Sequence, residues 1–250
     1  MLRIGTAGWA IRREHAAQFP GDGSHLTRYA ARLNAVEINS SFYRPHRPAT
    51  YAKWARETPK DFAFSVKMPK AITHEARLKG TDDTLHRFLD ECGALGSKLG
   101  CILIQLPPSL KFERGIAETF FADLRASYSG NAACEPRHAS WFTPDADALL
   151  IRFHIARVVA DPAIAKTAAP TGGFQYWRLH GSPRIYYSNY ENDFLRGLAQ
   201  QLTGRDAWCI FDNTALGFAT ANALELTSAM TCRRNPHRAS PLRPPAEDGR

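Results

Sequence analysis

Seven short apolar runs of this chain each end in a charged or amide side chain. They deliver Glu37 and Asn39; Lys67; Gln105; Glu135 and Arg137; Asp161; Arg178 and His180; and Asp212 with Asn213. Lys67, Arg137, Arg178 and His180 are cationic donors, and arginine in particular suits bidentate contact with phosphate. Glu37, Glu135, Asp161 and His180 are of the types that move protons or orient a water molecule. Asn39, Gln105 and Asn213 add neutral amides. Trp141, Tyr186, Tyr187 and Tyr190 add aromatic faces on which a base can stack. Each residue also has a purely structural reading. Glu37 can pair with Lys67 on a neighbouring strand, Asp161 before Pro162 can shape a turn, His74 can be a loop histidine, and Trp141 can be packing. Together they carry more weight, because burying so many polar groups is costly unless they pair or meet a ligand.

Several other chemistries find no support. No G-x-S-x-G occurs, and no cysteine lies in a motif beside a histidine, so a Ser or Cys nucleophile is not indicated. His74-Glu75 is followed by Ala76-Arg77-Leu78 and is not H-E-x-x-H. The segment Gly5-Thr6-Ala7-Gly8-Trp9 is neither a dinucleotide fingerprint nor a phosphate loop. No cofactor is predicted. A divalent metal is the weaker variant: His74, Glu135, Asp161, His180 and Asp212 are ligand types, but the neighbouring arginines and lysine oppose a bound cation. A glycosidase needs two facing carboxylates about 5–10 Å apart, and Glu135 with Asp161 is the better pair.

The elements that must position these residues are strands alternating with helices. Apolar β-type runs fall at Leu2–Thr6, Ala35–Ile38, Phe62–Lys67, Cys101–Leu106, Ala132–Glu135, Ile155–Ala160, Gln175–His180 and Trp208–Phe211. Short, largely apolar runs are expected of strands covered on both faces. Between them Leu26, Tyr29, Ala30 and Leu33 share a helical face after a Ser24 cap. Further faces are Leu85, Phe88, Leu89, Cys92 and Leu95; Ile116, Phe120 and Leu124; and Phe194, Leu195, Leu198 and Leu202. Thr214 is expected to cap the last helix. Eight such units predict a single (β/α)8 barrel over residues 1–231, with the polar residues at the C-terminal mouth of its strands. No internal sequence repeat is visible. Residues 232–250, rich in proline and arginine, are expected to be a disordered tail.

Composition agrees. The chain is 250 residues long, 44% hydrophobic and 22% charged, enough to bury a core. No apolar run reaches the roughly 18 residues of a membrane helix, and the N-terminus lacks an export pattern. The five cysteines are widely spaced with no C-x-x-C, against a disulfide scaffold or zinc site. A reduced, cytoplasmic protein is expected, with no membrane and no protein partner indicated. The net charge of +8 favours anionic partners. The excess of arginine over lysine is also consistent with coding bias.

Taken in order, Gly5-Thr6-Ala7-Gly8-Trp9, Val36-Glu37-Ile38-Asn39-Ser40-Ser41-Phe42-Tyr43-Arg44, Phe64-Ser65-Val66-Lys67-Met68-Pro69 with Thr73-His74, Gln105-Leu106-Pro107-Pro108, Glu135-Pro136-Arg137 with Ser140-Trp141, Asp161-Pro162, Tyr176-Trp177-Arg178-Leu179-His180-Gly181-Ser182-Pro183 and Phe211-Asp212-Asn213-Thr214 with Gly217 and Ala219 resemble the YecE-like proteins, domain-of-unknown-function family 72. The resemblance covers about residues 1–230 and implies a TIM barrel without implying a settled activity. The family is likened to xylose-isomerase-like barrels, some of which are metal-dependent apurinic endonucleases, an analogy of fold alone. The family usually has Asn-Asn where this chain has Asp212-Asn213, so an added carboxylate stands beside His180.

The function expected is binding of a phosphate-bearing small molecule or nucleic acid at the barrel mouth, with phosphoester hydrolysis as an extension. The catalytic candidates are Glu37, Glu135, Asp161 and His180. The binding candidates are Asn39, Lys67, Gln105, Arg137, Trp141, Arg178, Tyr186 and Asn213. The alternatives are a non-catalytic anion-binding or scaffold protein and a glycosidase-like hydrolase. Unpaired Arg178 and Lys67 would favour a ligand; full mutual pairing would favour a structural network.

Overall fold

The computed structural model describes residues 1–19, 21–165 and 170–234. Eight parallel strands form it: β1 Leu2–Thr6, β2 Ala35–Ile38, β3 Ala63–Lys67, β4 Leu99–Gln105, β5 Ala132–Glu135, β6 Ile155–Asp161, β7 Gln175–Leu179 and β8 Ala207–Phe211. They pair in the order β1-β8-β7-β6-β5-β4-β3-β2. The helices between and after them are α1 His25–Ala30, α2 Ser40–Tyr43, α3 Pro48–Arg56, α4 Asp82–Gly93, α5 Arg114–Ser127, α6 Pro144–Arg152, α7 Asn192–Leu202 and α8 Phe218–Arg234. This is the expected TIM-barrel-like α/β fold, with the strands ending within two residues of their predicted bounds.

Three helices escape the sequence reading: the short α2, and α3 and α6, both of which begin at a proline in the first helical turn. Ser24 does cap α1, its hydroxyl accepting from Thr27 N at 3.1 Å. Thr214 does not open the last helix, which begins at Phe218 after a turn closed by Gly217 N donating to Thr214 O. That helix runs through residue 234, and the remainder of the expected tail, 235–250, lies outside the described residues.

The barrel closes between β1 and β2 through side chains. One backbone bridge joins Ala7 to Glu37. Below it the Tyr29 hydroxyl of α1 accepts from Thr6 N at 2.9 Å and donates to Ala35 O at 3.0 Å. Asn34 spans the same seam, accepting from Ile4 N at 2.8 Å and donating to Leu2 O at 3.0 Å. These contacts satisfy backbone groups that a regular ladder would have paired. The strands lie so close here that a Cβ on Gly5 would stand 2.0 Å from Ala35 O.

Alternation along each strand builds two cores. Outward side chains such as Val36, Phe64, Ile102, Cys134 and Phe211 meet the helices. Inward ones, Ala35, Ala63, Cys101, Leu103, Ala133, Ala156, Tyr176, Trp208 and Ile210, fill the lumen. Tyr176 stacks on Trp208 with ring centroids 5.9 Å apart. Continuing the same inward positions toward the strand ends brings Glu37, Lys67, Gln105, Glu135, Arg178 and Asp212 to the mouth above this apolar plug. Cys92, Cys101, Cys134 and Cys209 are buried free thiols. Between β6 and β7 the described residues contain no helix, and Val159 is left partly exposed beside an apolar cavity of about 200 Å³. Among the described residues no helix is long and apolar enough to cross a membrane.

Candidate functional site at the barrel mouth

Arg178 is the centre of the mouth and is wholly buried. Its Nε donates to Glu37 Oε2 at 2.9 Å and its Nη2 to Glu37 Oε1 at 2.7 Å. Nη1 donates to Glu135 Oε2 at 2.6 Å, and Nη2 also reaches Asp212 Oδ2 at 2.9 Å. One guanidinium thus holds three carboxylates from β2, β5 and the end of β8. Gln105 Oε1 stands at the limit of contact with Nη1, 3.5 Å away. Tyr176, two residues before Arg178 and on the same inward face, donates to Glu37 Oε2 at 2.9 Å and contacts Ser65 Oγ at 2.7 Å. The Glu37–Lys67 pair expected as the structural alternative is replaced by Glu37–Arg178, whose fork matches a carboxylate.

His180 sits between two of the same carboxylates. Its Nε2 is 2.8 Å from Glu135 Oε1 and its Nδ1 is 3.1 Å from Asp212 Oδ2. Burial disfavours the imidazolium, but the hydrogen bonds to Asp212 and Glu135 outweigh it and raise the His180 pKa. Burial pushes the other way on both carboxylates, where the charge of Arg178 and the bond from His180 prevail and hold Glu135 and Asp212 below their usual range. The carboxylate that distinguishes Asp212 from an asparagine therefore bridges Arg178 and His180.

Arg137 lies at the edge of this network. Its Nη2 donates to Glu135 Oε1 at 2.6 Å and sits 2.9 Å from His180 Nε2, so two donor nitrogens crowd one oxygen. Its Nε is buried without a hydrogen-bond partner. Lys67 lies beside the network. Among the described residues its ammonium has no hydrogen bond and no carboxylate within 4.0 Å, and it stands 4.2 Å from the centroid of the Phe42 ring. Burial and the charge of Arg178 lower its pKa against the pull of Glu37, Asp212 and Glu135.

The remaining candidates have other places. Asp161 Oδ2 accepts from the Tyr190 hydroxyl at 2.7 Å, and that hydroxyl accepts from Gly181 N at 2.8 Å. Asn213 donates to Ser188 O at 3.0 Å and Asn222 Oδ1 at 2.9 Å. Asp161 and Asn213 thereby anchor the loop between β7 and α7, and the Asn213 Oδ1 atom is buried without a partner. Tyr190, itself buried, is an anchor rather than a stacking face. Tyr186 rides on this loop, with its ring edge-on to His180 at 6.0 Å and its face partly exposed. Its backbone holds φ at 70°, a left-handed conformation costing about 1–2 kcal/mol in a non-glycine residue. The pairing of Tyr186 N with His180 O and of Ala215 N with Tyr186 O pins it there.

Trp141 is a correction. It is fully buried, donates to Leu110 O at 3.0 Å and is packed by Phe112 and Phe121, so it offers no face to a ligand. Asn39 stands apart from the ion network, in a cleft of about 360 Å³ shared with Trp9, His25 and Ser40, and its Oδ1 has no partner. Sequence reasoning passed over Tyr176, Ser65 and Phe42 as parts of the site. Period-two spacing from Arg178 and Lys67 was the available signal for the first two; Phe42 carried none. Among the described residues, no group of three or more His, Cys, Asp or Glu side chains is arranged to hold a metal ion. The arginines threaded between the carboxylates account for this, since the oxygens already face cations.

An eight-stranded parallel barrel with a buried Arg–carboxylate–His network at the C-terminal ends of its strands defines the class, a TIM-barrel-like α/β protein. The family description that matches residues 3–247 reads "Protein of unknown function DUF72", and the chain belongs to that family. It is 33% identical over 144 residues to the UPF0759 protein YecE of Escherichia coli K12, covering 57% of this chain and 50% of that one. It is 26% identical over 187 residues to the UPF0759 protein YunF of Bacillus subtilis, covering 68% and 64%. The matches thus span half to under two thirds of those relatives' length. A DUF72 family protein of Thermotoga maritima superimposes with a TM-score of 0.76 at 25% identity, over 92% of this chain and 99% of that one. One from Enterococcus faecalis gives 0.77 at 19% identity, over 99% and 100%.

Proposed function

We propose that the barrel mouth binds a phosphate-bearing ligand, a small molecule or the end of a nucleic acid, and that the buried network beneath is its rigid floor. The observation that carries this is Lys67: a cation held at the mouth with no carboxylate within 4.0 Å among the described residues. Arg137, whose side chain is 16% exposed at the edge of the network, is its natural second donor. Lys67, Arg137 and Arg178 balance Glu37, Glu135 and Asp212 in number, and His180, whose pKa is raised, adds positive charge as it takes up a proton, which favours an added anion. Arg178 itself is spent on its three carboxylates and acts as support. The exposed face of Tyr186 supplies a wall for a base or sugar.

The same pairing speaks for binding over hydrolysis. Glu135 is saturated by Arg178, His180 and Arg137, and a carboxylate held this low is a poor proton acceptor near neutral pH. Asp161 is occupied by Tyr190, which also weakens the glycosidase pair.

Calorimetric titration with inorganic phosphate, pyrophosphate and a short single-stranded oligonucleotide tests the proposal. Binding to the native chain that falls by about tenfold or more in Lys67→Met, the loss of one charge-assisted hydrogen bond, is the expected result. Equal binding by both proteins would remove the mouth as the site.

A further inference from the structure

We propose that Lys67 is a carbonyl-reactive amine, which captures an aldehyde or ketone carrying an acidic group as an imine at the barrel mouth. Three other lysines are committed, and Lys60, Lys79 and Lys111 are exposed to solvent. Lys53 pairs with Glu57 at 3.6 Å and Lys70 with Glu75 at 3.1 Å. Lys98 donates to Ala55 O and Thr58 O, each at 2.6 Å. Lys67 has no such partner among the described residues, is 8% exposed, and shares the mouth with Arg178, Arg137 and His180. An ammonium that is desolvated and faced by like charges gives up its proton readily, which is how lysines become nucleophiles. Burial first and the charge of Arg178 second lower the Lys67 pKa in this way, against the pull of Glu37, Asp212 and Glu135. Contact with Phe42 favours the charged form by about 1 kcal/mol, but burial and Arg178 act against it.

The surroundings supply what the step needs. His74 packs against the same Phe42 ring that Lys67 covers, with centroids 4.9 Å apart. Its Nδ1 is fixed by Thr73 Oγ1 at 2.8 Å, and its Nε2 makes no hydrogen bond among the described residues. Burial lowers the His74 pKa, helped by Lys67 while that side chain is charged and opposed by Glu75, so a neutral imidazole is available to carry protons. The free ε-amine adds to the carbonyl carbon and forms a C–N bond. The carbonyl oxygen then leaves as water with both amine protons, and the product is the imine. Protonation to the iminium takes one proton from solvent, and no oxidant or reductant takes part. Arg137 is placed to hold the substrate's phosphate or carboxylate, and in this respect the inference rests on the anion reading of the mouth.

The test uses the full native chain and pyridoxal 5′-phosphate, an aldehyde that carries a phosphate, at neutral pH. Borohydride reduction then fixes any imine, and peptide mapping finds it among the eight lysines of the chain. Lys67 is expected to be modified several-fold faster than Lys53 or Lys70, with protection by inorganic phosphate. Preferential labelling of Lys67 by an uncharged aromatic aldehyde, without phosphate protection, would still support the amine chemistry and would refute the anion site alone. Phosphate binding in calorimetry with no preference for Lys67 in the map would overturn the imine proposal and leave the binding site standing. Labelling that follows surface exposure, with no phosphate binding, would overturn both.

Discussion

Arg178 and Glu37 meet as a two-pronged pair, at 2.9 and 2.7 Å, with both side chains completely excluded from solvent. The guanidinium of β7 thus spans the barrel lumen to the carboxylate of β2, and Glu135 and Asp212 complete its coordination. A cation with three buried acceptors is held in one orientation, so the floor of the mouth is rigid before any ligand arrives.

Removing that cation strands its partners. Arg178→Met is expected to lower unfolding stability by about 3–5 kcal/mol, the cost of leaving buried charge uncompensated. Urea denaturation followed by far-UV dichroism measures it. A loss below about 1 kcal/mol would mean the carboxylates re-pair or take up protons cheaply. Arg178→Lys is expected to rescue little, because a point charge cannot reproduce the fork.

Lys67→Met is expected to behave in the opposite way. It removes a buried charge without a carboxylate partner and leaves a side chain of similar length against Phe42. Stability should be unchanged or higher by up to about 2 kcal/mol, while anion binding is lost. A thermal melt alongside the phosphate titration separates the two effects, and strong destabilisation would show that Lys67 has a structural partner.

The stability of the mouth should depend on pH from both sides. Glu135 and Asp212 have lowered pKa values when folded, so their contribution is present above their ordinary values of 4.5 and 3.8 and disappears as pH falls through the folded ones. His180 has a raised pKa, so its contribution is complete below 6.5 and disappears as pH rises through its folded value. Denaturation at a series of pH values above neutrality should therefore show stability falling in the native chain and a flatter profile in His180→Gln. Matching slopes would place the alkaline loss elsewhere.

The seam between β1 and β2 should be sensitive to single atoms. Tyr29→Phe deletes the hydroxyl that serves Thr6 N and Ala35 O, at a cost of about 1–3 kcal/mol. Faster hydrogen exchange at the Thr6 amide is the specific sign. Gly5→Ala, whose new methyl would meet Ala35 O, should cost at least about 1–3 kcal/mol. Unchanged exchange at Thr6 in Tyr29→Phe would show that water replaces the hydroxyl without loss.

Much of the architecture is written locally. Strands such as Leu2–Thr6, Ala35–Ile38 and Ala132–Glu135 match their predicted bounds because short apolar runs between turn residues are a property of neighbours in sequence. The α1 cap at Ser24 is equally local. Helices α3 and α6 were passed over because each is only nine residues long and shows a short apolar face, Tyr51 with Trp54 and Ala55, and Ala146 with Leu149 and Leu150. The sequence also determined which residues gather at one end of the barrel, because period-two alternation and the direction of a parallel strand dictate it.

Pairing is a different matter. Nothing in the spacing of Glu37, Glu135, Arg178 and Asp212 says that one guanidinium takes all three carboxylates, or that Lys67 is left without one. Residues up to 141 positions apart meet here, and which cation reaches which anion depends on side-chain length and direction across the lumen. Trp141 shows the same limit: its loop lies near the mouth in sequence, while Phe112 and Phe121, from other segments, bury its ring. The chain itself determined the barrel and the contents of its mouth; only the tertiary structure decided which of those charges neutralise one another and which remain for a ligand, because electrostatic pairing is set by distance and desolvation in space.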